Sequence, residues 1–376
     1  MARSAPALST FTAGEISPRL EGRITIEKYR EGLSDLTNMI VQPHGGVTRR
    51  PGTEFLGEVK NSAAKTRLIP FEFKTSDTYV LEFGNQYMRV LRNGLQVLEG
   101  SAKTVSAITK ANPGVLTSNS HGLANGDEVY LTNTGAMTEL TARNYKIANV
   151  TTNTFTLTDL FGVAINTTSF TTFDSGVTVD KIYEITTPYV TADIPDLRFV
   201  QSADVMYLVH PSYQVRTLVR TDHNAWTINA IYLGEPQTAK TITAATQASP
   251  GVLTSSSHGF SNGDPVLIEA VVGMTELNNK YFKVANATTN TFTLQDIDSA
   301  DIDTSGFTAY SSGGTAKKIE TTVPALYGTD NNPSVVTFFE QRLVFAATNN
   351  NPQTLFFSKS AQYENFSVGS AADNDA

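Results

Sequence analysis

The stretch AKTVSAITKANPGVLTSNSHGLANGDEVYLTNTGAMTELTARNYKIANVTTNTFTL, residues 102–157, decides how this 376-residue chain is read. It returns at residues 239–294 as AKTITAATQASPGVLTSSSHGFSNGDPVLIEAVVGMTELNNKYFKVANATTNTFTL, shifted by a constant 137 positions (239 − 102) with no gap and with more than half the positions identical. Self-similarity at a fixed offset marks a folding unit before any single residue is interpreted. Both copies alternate apolar with polar residues in short runs, as in Thr154-Phe155-Thr156-Leu157, and neither has a helical period. Asn125-Gly126-Asp127 and Asn262-Gly263-Asp264 supply the positive φ that a tight turn needs, and are expected to fix strand register in both copies. Each copy is a β module of roughly 75 residues, a size at which burial alone gives marginal stability, so support from the rest of the chain is expected.

The remaining sequence reads as a frame around two insertions. The expected division is 1–100 for an arm, a helix and a meander, 101–178 for the first module, 179–238 for more frame, 239–317 for the second module and 318–376 for the last of the frame. Residues 1–22 read as an extended arm. Ile26, Tyr29, Leu33, Leu36 and Ile40 recur at three- and four-residue steps, which predicts a helix over about Thr25 to Met39, ended by Pro43-His44-Gly45-Gly46. Strands follow at Arg67–Phe73, Thr78–Phe83, Tyr87–Arg92 and, after the modules, at Val205–His210, Val335–Phe339, Arg342–Ala346 and Thr354–Phe357. The fold class expected is mainly β: a propeller-like, sandwich or meander frame with a short amino-terminal helix and two small barrel-like modules.

Composition narrows the function classes. Charged residues make up only 17% and the net charge is −8, which argues against a protein that grips nucleic acid, because neutralising phosphates takes clustered Lys and Arg. DNA is expected to pass such a protein rather than be held. The absence of cysteine removes thiolate chemistry and disulfides and fits assembly in a reducing compartment. No apolar run approaches the ~20 residues of a membrane span, and the first residues lack a signal-peptide core, so a soluble cytoplasmic protein or a particle built there is expected. No G-x-S-x-G, HExxH or recognisable carboxylate pair points to catalysis.

Two groups of residues invite a metal. His121 and His258 each begin a His-Gly pair, but neither copy brings a second His or Cys at ligand spacing, so a turn residue bonded to backbone is the favoured reading. Asp296, Asp298, Asp301 and Asp303 suggest a calcium loop, yet Ser312 stands where a closing Glu would be, and a solvated acidic loop is favoured. No cofactor is expected.

The strings HGLANGDEV at 121–129 and HGFSNGDPV at 258–266, with TTNTFTL after each, resemble the first half-domain around the catalytic cysteine of ubiquitin-activating enzymes, a barrel-like module that recurs in phage proteins. The resemblance implies the fold alone. FTAGEISPRLEGR at 11–23, KYREGLSDLTNMIVQPHGGVTRRPGTEFLG at 28–57, RLIPFEF at 67–73, DLRFVQSADVMYLVHPSYQVRTLVR at 196–220 and PSVVTFFEQRLVFAATNNNPQTLFFSKSAQYENF at 333–366 resemble the tail nozzle, or tail tubular, proteins of short-tailed bacteriophages. That resemblance implies a homo-oligomer forming a hexameric ring below portal and adaptor proteins, contacts with tail fibres or spikes, DNA in transit, and a place in the virion tail after assembly in the host cytoplasm. It also implies more frame beyond Asp373-Asn374-Asp375-Ala376, so either a short relative or a missing remainder is expected.

Within the frame, Arg49 and Arg50 between Gly46 and Pro51 offer two rigid forks suited to a neighbour's carboxylates, and an intrachain ion pair is the equal alternative. Tyr29 and Leu33, on the expected helix, join them as subunit-interface candidates. Phe338-Phe339 and Phe356-Phe357 place rings on both faces of their strands, so each strand is expected to need cover on both sides. Three functions compete on these residues: a structural tube subunit, a host-surface glycan adhesin using the modules, and a tail hydrolase, the last disfavoured by the missing catalytic motifs.

Overall fold

The computed structural model describes residues 9–53, 56–133, 135–321 and 326–367. The first eight residues of the arm, Glu54-Phe55 and the last nine residues therefore lie outside the described residues. The chain divides into two units, up to Leu56 and from Gly57 onward. Regular structure among the described residues is mainly strand, and the helical pieces are short 3-10 turns such as Pro18–Leu20 and Ile194–Asp196.

The helix expected over 25–39 is absent. A 3-10 turn occupies Glu27–Glu31, Gly32–Leu33 pairs in parallel with Gly14–Glu15, and Met39–Val41 forms a hairpin with Val47–Arg49. The spacing of apolar residues is helical, but local competition wins. Asp35 Oδ1 accepts from both Thr37 N (3.1 Å) and Thr37 Oγ1 (2.5 Å), a turn that offers the backbone an alternative to the helix. Gly32 stands so close to Ile16 that a Cβ there would lie 2.6 Å from Ile16 Cγ2, so its glycine serves strand contact.

In the second unit, three antiparallel sheets make the frame. The first carries Arg67–Lys74, Asp77–Gly84, Tyr87–Arg92 and, across the first module, Glu184–Thr186. The central sheet is a meander of Arg198–Ser202, Val205–His210, Tyr213–Asp222 and Ala225–Ala230. The last is Val335–Phe339, Arg342–Ala346 and Leu355–Phe357. Val205–His210 explains their stacking, because every residue from Met206 to His210 is buried. Met206 and Leu208 enter a core with Ile69, Phe71, Leu81 and Trp226, while Tyr207 and Val209 point oppositely into a core with Leu343, Phe345 and Phe366. The central sheet is thus covered on both faces, blade against blade. Three sheets are fewer than the four blades of the smallest closed propellers, so among the described residues the frame is a stack of meanders. Of the paired rings, Phe338 and Phe356 pack on this core, whereas Phe339 stays 57% exposed.

Each module is a small barrel. In module one the sheet order is Ala107–Ile108, Val115–Thr117, Thr154–Thr158, Arg143–Ala148, Glu128–Asn133, Val177–Lys181 and Lys103–Thr104. The first and last strands of that order are consecutive in sequence. Val105 N bonds Val177 O (2.9 Å) and Ser106 N bonds Thr117 O (2.8 Å), so one kinked segment closes the barrel. Module two repeats this through Ile242 N to Gly314 O (2.9 Å) and Thr243 N to Thr254 O (2.9 Å). Their interiors are filled by matching side chains, Leu116, Val129, Phe155 and Leu157 in one and Leu253, Val266, Phe292 and Leu294 in the other.

The Asn-Gly turns act differently from the expectation. Val115–Thr117 and Glu128–Asn133 are not neighbours, so Asn125-Gly126-Asp127 joins no paired strands. Instead Gly126, at φ +90°, donates its N–H to Ile147 O (2.8 Å), Asn125 Oδ1 accepts from Val150 N (3.1 Å) and Asp127 Oδ2 accepts from Ala124 N (2.8 Å). The turn pins a distant strand end. Incoming and outgoing strands of each module run side by side: Tyr183 N bonds Val97 O (2.9 Å), and Gly234–Pro236 pairs with Ser312–Thr321. The outgoing strands continue past positions 178 and 317 to Lys181 and Thr321, so each barrel grows directly out of its stalk.

Candidate functional site at the junctions and amino-terminal segment

Arg49 and Arg50 lie at the end of the Val47–Arg49 strand, both exposed, and enter no ion pair among the described residues. Arg50 Nε donates to Asn38 Oδ1 (3.2 Å), so one fork is partly spoken for within the hairpin and Arg49 is not. Tyr29 sits in the 3-10 turn with its hydroxyl accepting from Gly22 N (2.8 Å), and Leu33 is half-buried beside Glu15 in the parallel pair. These four residues therefore share the first unit but no helix face.

The histidines are core residues. His121 and His258 are 2% and 1% exposed, each Nδ1 accepts from the backbone N–H two residues on (3.0 and 2.9 Å), and each ring stands edge-on to Phe155 or Phe292. The acidic loop dissolves in the same way. Asp296 Oδ1 accepts from Asp298 N and Ala300 N, Asp301 Oδ1 from Gln295 Nε2, and Asp303 Oδ1 from Ser305 N, all between 2.8 and 2.9 Å. Each of these carboxylates except Asp298 thus accepts from a nearby N–H, and no three metal-ligating side chains converge among the described residues.

The chemistry that sequence reading missed lies where modules meet the frame. Arg89, 2% exposed on the Tyr87–Arg92 strand, reaches Glu128 of module one (Nη1 to Oε2, 2.7 Å) and Glu184 of the frame (Nε to Oε2, 3.0 Å). Lys60 closes on Glu184, Lys146 approaches Glu128 at 3.6 Å, and Tyr87 donates to buried Glu82 (2.6 Å). Burial pulls the Arg89 guanidinium down, but hydrogen bonding and attraction to Glu128, then Glu184, outweigh it and leave it raised and firmly charged. Burial pushes the Glu82 carboxyl up, with the Tyr87 hydroxyl opposing. Position 265, the counterpart of Glu128, is Pro265, so module two has no such anchor.

Module two is fastened by another pair. Tyr281 OH donates to Glu364 Oε2 (2.7 Å), and burial raises both groups above their ordinary values. Its counterpart in module one is Asn144, which donates to Gln96 Oε1 of the frame (2.7 Å). Among the described residues only the ion pair at the stalk is common to both, Lys181 with Asp127 (3.0 Å) and Lys318 with Asp264 (2.9 Å). No single-position signal marks these contacts, because Arg89 and its partners are separated by 39 and 95 residues.

The ubiquitin-activating enzyme E1 FCCH domain family model matches residues 249–320, nearly the whole second module. A solved structure named Phage phi92 endosialidase is similar over 76% of this chain and 53% of its own, at 13% identity and a TM-score of 0.19. This chain thus spans about half the length of that structure, and at such a score the likeness carries no argument. No curated protein matches the chain.

Proposed function

We propose that the chain is a structural subunit of a bacteriophage tail, a nozzle or tube protein whose copies form a hexameric ring below portal and adaptor, with DNA passing through and no catalytic role. The reading rests on the frame strings quoted above, and one structural observation carries it further. Residues 9–53, which hold the GVTRRPG string, bury no side chain, Gly45 being the single buried position among those described. Ile24, Met39 and Ile40 are 69%, 50% and 46% exposed. A two-residue parallel pair and a three-residue hairpin without a core are marginal in water, so this unit needs cover that it does not build itself. A neighbouring copy in a ring supplies such cover, with Arg49 available for the neighbour's carboxylates.

Particle symmetry tests this. Electron microscopy of the purified full chain is expected to show six-fold rings, and the double change Arg49→Ala, Arg50→Ala is expected to impair assembly more than it lowers the Tm. A chain that stays monomeric at high concentration overturns the ring. A second reading, a host-surface adhesin using the modules, is favoured by one loop. The same Asp-capped turn displays Phe161 and Val163 (78% and 64% exposed) in module one but Asp298 and Ala300 in module two, a variable tip on a fixed scaffold.

A further inference from the structure

A cleft of about 1090 Å³ opens between the frame and the acidic loop of module two. Thr187, Arg216 and Asn332 line it from the frame, Gln86 and Asp330 stand at its edge, and Asp298 reaches it from the module. Thr187 and Asn332 are 2% and 6% exposed, and Thr187 Oγ1, Arg216 Nε and Asn332 Oδ1 have no hydrogen-bond partner. A buried polar atom left unpaired is costly, and proteins tolerate such atoms where something else completes them. Here three belong to residues that line one cleft, a donor, an acceptor and a hydroxyl that is either.

The lining selects the occupant. An apolar ligand would strip the exposed side chains of Gln86, Ser212 and Thr329, which also line the cleft, of water without replacing their bonds. Two carboxylates, Asp298 and Asp330, against one guanidinium, Arg216, make the cleft unfavourable for phosphates and other polyanions. No trio of metal ligands is present among the described residues. What matches is a ligand carrying many neutral groups that both donate and accept, large enough to bridge frame and module. We propose that this cleft binds a neutral oligosaccharide, with Asp298 and Asp330 accepting from sugar hydroxyls and Arg216 and Asn332 completing the floor. The site lies between module two and the frame and stands independently of whether the chain forms a ring.

The test uses the full chain with glucose, galactose and N-acetylglucosamine hexasaccharides, read by saturation-transfer NMR and calorimetry. At least one is expected to bind, and Asp298→Ala with Asp330→Ala, both at exposed positions, is expected to weaken it about tenfold or more, with the fold verified by circular dichroism because Asp330 sits at φ +63° and accepts from Asn349 Nδ2 (2.9 Å). Arg216→Gln is expected to weaken it comparably, with circular dichroism verifying the fold. Three results overturn the proposal: no hexasaccharide binding at 10 mM or below, a requirement for an anionic sugar or a peptide instead, or binding that survives the double change.

Discussion

The two modules have nearly the same interior and different roots. Inside, the same bonds recur in both copies: Thr167 and Thr304 each accept from a backbone N–H (3.1 and 3.2 Å) and donate to a carbonyl (2.7 and 2.6 Å). Glu139 and Glu276 likewise grip Thr171 and Thr308 through the same pair of bonds, 2.8 and 3.0 Å. At the root, module one inserts Glu128 into a buried ion cluster, whereas module two offers Pro265 there and leans on Tyr281 and Glu364. The difference teaches which contacts belong to the barrel and which belong to the place it was put. The bonds that fold the barrel recur in both copies, and apart from the stalk ion pair the contacts that meet the frame have followed two separate surfaces.

The comparison breaks most visibly under deletion. Replacing residues 239–317 by a short Gly/Ser linker is expected to leave a folded frame, because the stalk strands at Gly234–Pro236 already lie beside the outgoing strand. Replacing residues 102–178 is expected to cost several kcal/mol more, since it removes Glu128 from a buried guanidinium. Urea denaturation of the two deletions measures the gap. Equal losses would mean that the ion cluster does not fasten module one.

A point change isolates the same term. Glu128→Gln keeps the shape and leaves Arg89 with Glu184 alone, and a loss of about 3 kcal/mol is expected from breaking one arm of a buried pair. Double change with Arg89→Met is expected to recover part of the loss, because no buried guanidinium is then left short of a partner and Glu184 keeps Lys60. A single change that costs under about 1 kcal/mol would place the cluster in effectively wet surroundings.

The sequence made the barrels and most frame strands legible, and the physical reason is locality. Val205–His210, Val335–Phe339 and Arg342–Ala346 announce themselves through period-2 or continuous apolar runs between turn residues, and they stand at those bounds. The stretch from Ile26 to Ile40 misled because five apolar residues at helical steps say where a helix could bury a face, while this unit has no core for them to enter. The junctions were illegible for the opposite reason. Glu128 reads as one more acidic residue after Asn125-Gly126-Asp127 until the fold brings Arg89 to it, and Tyr281 reads as a strand residue until Glu364 arrives from 83 positions away.

Module two's fastening is weaker and depends on pH. Tyr281→Phe removes a hydrogen bond to a carboxylate and is expected to cost about 2 kcal/mol at neutral pH. Burial holds the folded Glu364 carboxyl above its ordinary 4.5, and the Tyr281 hydroxyl opposes that shift; Tyr207 and, near Tyr281, Glu269 are the other titratable groups facing the pair. A raised carboxyl contributes most stability below pH 4.5 and loses it as pH rises from there through the folded value. Without the Tyr281 bond the folded value rises further, so the penalty of the substitution is expected to shrink as the pH is lowered toward 4.5. Thermal melts across pH 4 to 8 check this, and a penalty that grows on acidification would remove Glu364 from the account.

The smallest effect tests what the two roots share. Lys181 with Asp127 and Lys318 with Asp264 have almost the same geometry, 3.0 and 2.9 Å, and almost the same side-chain exposure, 36% and 37% for the lysines. Pairs this open to solvent contribute about 0.5 kcal/mol each, so Lys181→Ala and Lys318→Ala are expected to cost similar, small amounts. One asymmetry is built in: Lys181 also lies 3.9 Å from Glu99, and module two has no such second carboxylate on Lys318 among the described residues. Lys181→Ala should therefore cost a few tenths of a kcal/mol more at low ionic strength. At 1 M salt, where screening acts within about 3 Å, that excess is expected to vanish. If it persists, the stalk of module one is held by packing of the lysine stem rather than by charge, and the shared pair is a relic of the duplication without a share in fastening either barrel.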